Sequence, residues 1–207
     1  LRAMVETGGQ SVVDGLRNAR RDMQRGNGRL TLTQTDETAF QIGQNVATAK
    51  GEVVYRNKLI EVIHYNPTRK KMRERPMLIF PPWINKFYIL DLKQKNSLIN
   101  WIVAQGYTLF VVSWKNPDAS YADVSLDDYV EQGYLAAINE VKAITGEAKV
   151  NAVGYCIAGT TLAATLALLK RRGDTSIKSA TFFTALTDFS EQGEFTPFLE
   201  DDFVDAI

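Results

Sequence analysis

The sequence predicts an α/β fold with a mostly parallel sheet, and three observations carry that expectation. Short, continuously apolar runs alternate with helical stretches from residue 77 onward. Each helical stretch is followed by a glycine. Two β-rich runs with a two-residue turn between them stand in front of the alternation.

In chain order, residues 1–50 read as a helix-prone, weakly apolar segment. Val12, Val13 and Leu16 would form a narrow apolar face, with Arg17, Arg20, Arg21 and Arg25 on or near the other side. That pattern reads as a solvated helix face, and a binding patch for an anionic partner is the alternative. Gly26-Asn27-Gly28 is a turn or helix stop. Val53–Arg56 and Leu59–Tyr65, separated by Asn57-Lys58, form a hairpin. The basic stretch Thr68–Arg75 reads as a solvated loop.

Met77–Phe80 has the uniform apolar character of a strand buried on both faces. Ser97–Gln105 is helical, with Ser97 as N-cap and Gly106 as stop. Thr108–Trp114 is a second buried strand, and Leu126–Thr145 a long helix ending at Gly146. Lys149–Tyr155 is a strand, Ala158–Arg172 a helix ending at Gly173, and Ser179–Leu186 a strand. Strands and helices in strict alternation form parallel βαβ units with right-handed crossovers. An antiparallel hairpin ahead of such units is how an α/β-hydrolase sheet begins.

The 207 residues suffice for one domain with a real core. Formal net charge is zero, which argues against a nucleic-acid binder. One cysteine excludes an internal disulfide framework and points to a reducing cytoplasm. With one Cys and one His, no structural zinc site is expected, and no other metal. No apolar run approaches the roughly 20 residues of a membrane helix. The chain opens LRAMVETGG without Met and stops inside the acidic–apolar pattern FLEDDFVDAI, so it reads as a fragment of a longer protein lacking its C-terminal part.

The chemistry centres on Gly154-Tyr-Cys-Ile-Ala-Gly159. A buried strand runs into this hexapeptide and a helix starts at once, the context of a nucleophile elbow of the G-x-S-x-G kind with Cys156 replacing Ser. The turn is so tight that the positions two residues either side, Gly154 and Ala158, must be tiny. The elbow would lift the Cys156 thiol clear of the sheet and aim the Ile157 N–H and the positive helix end at a reacting carbonyl. The same field would favour a thiolate. Read without its flanks, the hexapeptide could equally be a small buried Cys in a Gly-containing turn. A second oxyanion donor should come from the loop Phe80–Phe87. Pro81 and Pro82 have no N–H, so the donor would be Trp83 or Ile84; a stiff turn with an aromatic lid is the other reading.

A triad of this type takes its acid and His after the nucleophile in chain order. No His follows Cys156; the single one, His64, lies upstream in a strand and reads as structural. Asp188 reads as a turn or cap residue. The general base is therefore expected outside these residues, and the 207-residue chain alone is expected to be inactive.

Several stretches, in order and over almost the whole chain, resemble the polyhydroxyalkanoate (PHA) synthases of class I. Pro81–Asp91 is similar to that family's PPWINKFYILDL signature, Ser113–Asp118 to its SWxNPD, and Gly154-Tyr-Cys-x-x-Gly159 to its lipase-like box. Gly51–Asn57 and Thr187–Ser190 also look familial. One departure is Ala158, where the family box usually carries the first of two glycines; the elbow is expected to survive it. The resemblance implies polymerisation of (R)-3-hydroxyacyl-CoA thioesters through a Cys156-bound thioester, with no cofactor beyond the CoA of the substrate. It also implies a homodimer on a cytoplasmic polyester granule, and Glu194–Asp205 as the start of a cap (191–207). The alternatives are a Cys-nucleophile hydrolase of the dienelactone hydrolase or thioesterase kind, and a non-catalytic granule-assembly domain.

Overall fold

A computed structural model describes residues 1–190 except Thr35 and Glu37; the expected cap segment 191–207 lies outside the described residues. The chain divides into two units, Leu1–Gln41 and a larger one from Ile42 onward.

In the first unit, α1 (Arg2–Glu6) and α2 (Gln10–Arg25) are the only helices among the described residues, so helix covers about half of the segment expected to be helical. Helix α2 ends where Gly26, Asn27 and Gly28 turn the chain, Asn27 and Gly28 at positive φ. Val12, Val13 and Leu16 are all exposed. Asp22 is the buried residue of α2 and accepts the Thr33 hydroxyl at 2.6 Å. Residues 42–50 belong with the second unit. The Ala47 N–H donates to the Asp91 carbonyl (2.9 Å) and the Ala49 N–H to the Asp91 carboxylate (2.8 Å).

The second unit is a three-layer α/β/α structure. Strands β1 (Gly51–Arg56), β2 (Ile60–Tyr65), β3 (Arg73–Phe80), β6 (Tyr107–Trp114), β7 (Val150–Tyr155) and β8 (Ile177–Phe183) form one sheet in the order β1-β2-β6-β3-β7-β8. The pairs β1–β2 and β2–β6 are antiparallel; β6–β3, β3–β7 and β7–β8 are parallel. Asn57 makes the first hairpin by accepting the N–H groups of Leu59 and Ile60 on its side-chain oxygen. A short ribbon of β4 (Asp91–Lys93) and β5 (Asn96–Ser97) precedes α3 (Leu98–Ala104). Ser97 caps α3 by accepting the Asn100 N–H, and Gly106 takes the left-handed turn beyond its end.

Period-two alternation along the strands feeds two cores. Leu78, Phe80, Phe110 and Val112 face α5 (Ala136–Thr145) and α6 (Ile157–Arg171), while Ile79, Leu109 and Val111 face α3. Two strand ends differ from expectation by three residues or more. β3 starts at Arg73, inside the stretch read as a loop, because Arg73 already pairs with Tyr107. β8 stops at Phe183, because Thr184 turns at a φ of 43°.

The helix expected over Leu126–Thr145 is continuous in position and not uniform in winding. A short α-turn, α4 (Leu126–Asp128), leads into a seven-residue π-helix, Tyr129–Leu135, and then α5. Packing accounts for the wide turn. A Cβ at Gly133 would lie 2.6 Å from the Trp114 ring, and Tyr134 is fully buried against Phe80 with ring centroids 4.2 Å apart.

Candidate active site

Strand β7 delivers the chain to the elbow. Its last residues are in register with Phe80 of β3 on one side and with Phe182 and Phe183 of β8 on the other. Cys156 then turns with φ 55° and ψ −129°, a conformation a non-glycine residue holds only when its surroundings impose it. The constraints are visible. The Cys156 N–H donates to the Phe183 carbonyl at 2.9 Å, and the Cys156 carbonyl accepts from Gly159 N at 2.8 Å. The Cys156 residue is exposed, although strand and helix on either side are buried.

The tight approach that the elbow requires runs between Gly154 and Gly159. A Cβ on Gly154 would sit 2.6 Å from the Gly159 Cα and 3.0 Å from both Ala158 O and Gly159 N. A Cβ on Gly159 would meet the Ala185 side chain. Sequence reasoning singled out Gly154 and Ala158. The structure adds a third such position, Gly159, and buries the Ala158 methyl in the α5–α6 core. This is the physical reason an alanine fits in the first of the two positions.

Helix α6 starts immediately after Cys156, and the first N–H groups of a helix have no intrahelical partner. The Ile157 N–H is the first of them. Across from it lies the loop after β3, whose start is set beside Gly154 by the Phe80–Gly154 register. The Asn85 N–H donates to the Pro82 carbonyl at 3.0 Å, so Pro82–Asn85 is a β-turn with Trp83 and Ile84 at its centre. The amide groups of those central positions are free of the turn's own hydrogen bond. The Trp114 indole holds the Pro81 carbonyl at 2.8 Å, and the Trp83 indole donates to the Thr161 hydroxyl at 3.3 Å. The Trp83 side chain is half-buried against the core; that of Ile84 is exposed.

His64 is far from this place. It pairs with Phe110, Phe110 with Leu78, and Leu78 with Ala152. Three strand spacings put it about 14 Å from β7 across the sheet, and four residues put it about 13 Å below Cys156 along the strands. Its ring stacks on Phe110 at 4.6 Å, and burial lowers its pKa, with Glu52 partly opposing. Asp188 accepts the Ser190 N–H at 2.9 Å, and this hydrogen bonding lowers its pKa. It is a turn residue, five positions beyond the end of β8. Among the described residues, no three His, Cys, Asp or Glu side chains are grouped to hold a metal ion, and no helix is long and apolar enough to cross a membrane. Sequence reasoning missed Thr161 and Tyr134, which hold the elbow from beneath; on a helix they look like ordinary core-facing polar residues.

A family model described as Poly-beta-hydroxybutyrate polymerase (PhaC) N-terminus matches residues 1–102. A poly(3-hydroxyalkanoate) polymerase of Methylorubrum extorquens is 45% identical over all 207 residues, and a polymerase subunit of Cupriavidus necator 42% identical over 97% of the chain. By sequence, the chain is similar to the poly(3-hydroxyalkanoate) polymerases. It spans about a third of the length of these relatives, 34% and 33% respectively. Among solved structures, a Rhizomucor miehei esterase superposes with a TM-score of 0.50 at 16% identity, over 82% of this chain and 51% of its own. This relative of the polymerases thus has the α/β-hydrolase fold.

Proposed function

We propose that this chain carries the nucleophile of an acyltransferase that polymerises (R)-3-hydroxyacyl-CoA thioesters, with Cys156 as the acyl-carrying residue. The observation that carries the reading is an exposed thiol on a strained strand–helix elbow, at the N-terminus of a 15-residue helix, in a chain related to polymerases. A base takes the Cys156 proton, and the thiolate adds to the thioester carbonyl. Negative charge develops on the carbonyl oxygen, where the Ile157 N–H and one from Trp83 or Ile84 would receive it. Collapse expels CoA thiolate, which takes up a proton and leaves an acyl-Cys156 thioester. The 3-hydroxyl of another acyl unit then attacks that thioester, giving an ester and freeing Cys156. A thiol suits both halves, being a good nucleophile and a good leaving group. His64 is the one His of the chain and stands three strands away from β7, and a base supplied from outside these 207 residues is part of the same proposal. A homodimer acting at a cytoplasmic granule surface is part of the same proposal and rests on the family resemblance.

The intact protein supplied with 3-hydroxybutyryl-CoA should release CoA with matching polymer, and Cys156→Ala should lower turnover by on the order of 10⁴-fold or more. Mass spectrometry of the quenched enzyme should find the acyl group on the Cys156 peptide. CoA release without polymer would favour the hydrolase reading. Undiminished turnover in Cys156→Ala would end the assignment.

A further inference from the structure

The two donors proposed for the oxyanion lie on separate pieces of chain. One is the first turn of α6; the other is the Pro82–Asn85 turn after β3. Their peptide groups are useful together only if the two pieces keep a fixed spacing. One side chain joins them. The Thr161 hydroxyl, buried at 4% exposure, donates its single proton to the Ile157 carbonyl at 3.0 Å and accepts the Trp83 indole N–H at 3.3 Å. A hydroxyl has one proton to give and two lone pairs to receive, so both bonds can stand at once.

The network continues below. The Tyr134 hydroxyl, also fully buried, donates to the Ala158 carbonyl at 2.7 Å. Gly159 N, on the other side of that peptide, donates to the Cys156 carbonyl. Burial raises the Tyr134 pKa, so the hydroxyl keeps its proton for that bond. Thr165 repeats the same local bond to the Thr161 carbonyl at 2.8 Å without reaching any loop, which separates helix back-bonding from the bridging that Thr161 adds.

We infer that Thr161 is a positioning residue, whose hydroxyl sets the Trp83–Ile84 turn against the first turn of α6 and so fixes the spacing of the two oxyanion donors. This rests on the proposed function of Cys156. The test separates acyl transfer, which needs both donors, from alkylation of Cys156 by iodoacetamide, which develops no oxyanion. In the intact protein, Thr161→Val should lower kcat about 10- to 100-fold, the range set by donor misplacement, with KM within about twofold. The alkylation rate should stay within about twofold of the parent. Thr161→Ser should restore kcat to within about threefold. Trp83→Phe, which deletes the indole N–H and keeps a ring, should reproduce the Val variant's selective loss.

Turnover of Thr161→Val within twofold of the parent would overturn the inference. So would alkylation falling in parallel with turnover, or Ser failing to rescue. If Thr161→Val does not fold, Trp83→Phe decides alone, by the same selective loss or its absence. Turnover retained in Cys156→Ala would instead refute the underlying assignment, so the two failures are distinct.

Discussion

Placing a methyl at Gly154 tests the elbow directly. The new Cβ would lie 2.6 Å from the Gly159 Cα and 3.0 Å from Ala158 O and Gly159 N. Ordinary carbon–carbon contact is about 3.5–4.0 Å, so β7 and α6 must part by roughly 1 Å. All three atoms are backbone, and no rotamer change can relieve the clash. Overpacking of this kind costs about 1–3 kcal/mol, and at about 2–4 °C per kcal/mol the Tm of Gly154→Ala should fall by roughly 2–12 °C. The same displacement moves Cys156 and the Ile157 N–H together, and a misplacement near 1 Å costs about 100-fold in rate. Ala158→Gly is the matched control. It removes a buried methyl and adds a glycine to the helix, about 1–2 kcal/mol together, without any clash. Calorimetry of the 207-residue chain should therefore show losses of similar order in the two variants, whereas CoA release by the intact protein should fall about 100-fold only in Gly154→Ala. If Gly154→Ala keeps its rate within threefold, or if Ala158→Gly loses as much, the close approach is not what shapes this site.

Local conformation and burial give two further expected outcomes. Replacing Cys156 by Gly should abolish turnover and yet raise stability by about 0.5–2 kcal/mol, because relief of the φ 55°, ψ −129° strain exceeds glycine's extra chain entropy; a lowered Tm would refute this. For His64, the folded pKa is depressed below 6.5, mainly by burial. Above that pH the ring is neutral in both states; as pH falls through 6.5 the unfolded chain binds the proton first, and stability declines until the folded value is passed. Urea titrations at pH 8 and pH 5 should show this decline in the parent and a smaller one in His64→Phe; equal slopes would be the contrary result.

Much of the sheet was legible because its signals are local. Asn57-Lys58 announces the hairpin, apolar runs mark β3 and β6, and Gly106, Gly146 and Gly173 each sit just past a helix in the left-handed region that glycine favours. The strand–turn–helix around Cys156 was legible for the same reason. The features that were missed depend on contacts distant in sequence. The start of β3 at Arg73 needs Tyr107 beside it, and residues 42–50 join the larger unit through Asp91. The need for a further small residue at Gly159 depends on Ala185 in space. Thr161 bonds a residue 78 positions away, which no periodicity reports.

The π-helical segment Tyr129–Leu135 has a consequence for insertions and deletions. A wide turn absorbs chain length that an α-helix would spend on rotation, so it sets the angular phase between the chain on its N-terminal side and the chain on its C-terminal side. Tyr129 meets Trp83 and Trp114 at one end of this segment, while Ala137, Ile138 and Val141 meet the sheet beyond the other. Removing one residue between them and closing the gap as ordinary α-helix would leave the two groups nearly in phase, because the surplus residue of the wide turn is what is lost; removing two would turn one group against the other by about 100°. Either the aromatic contacts beneath the elbow or the α5 face of the core would then lose its partner. This stretch should therefore tolerate the loss of one residue far better than the loss of two.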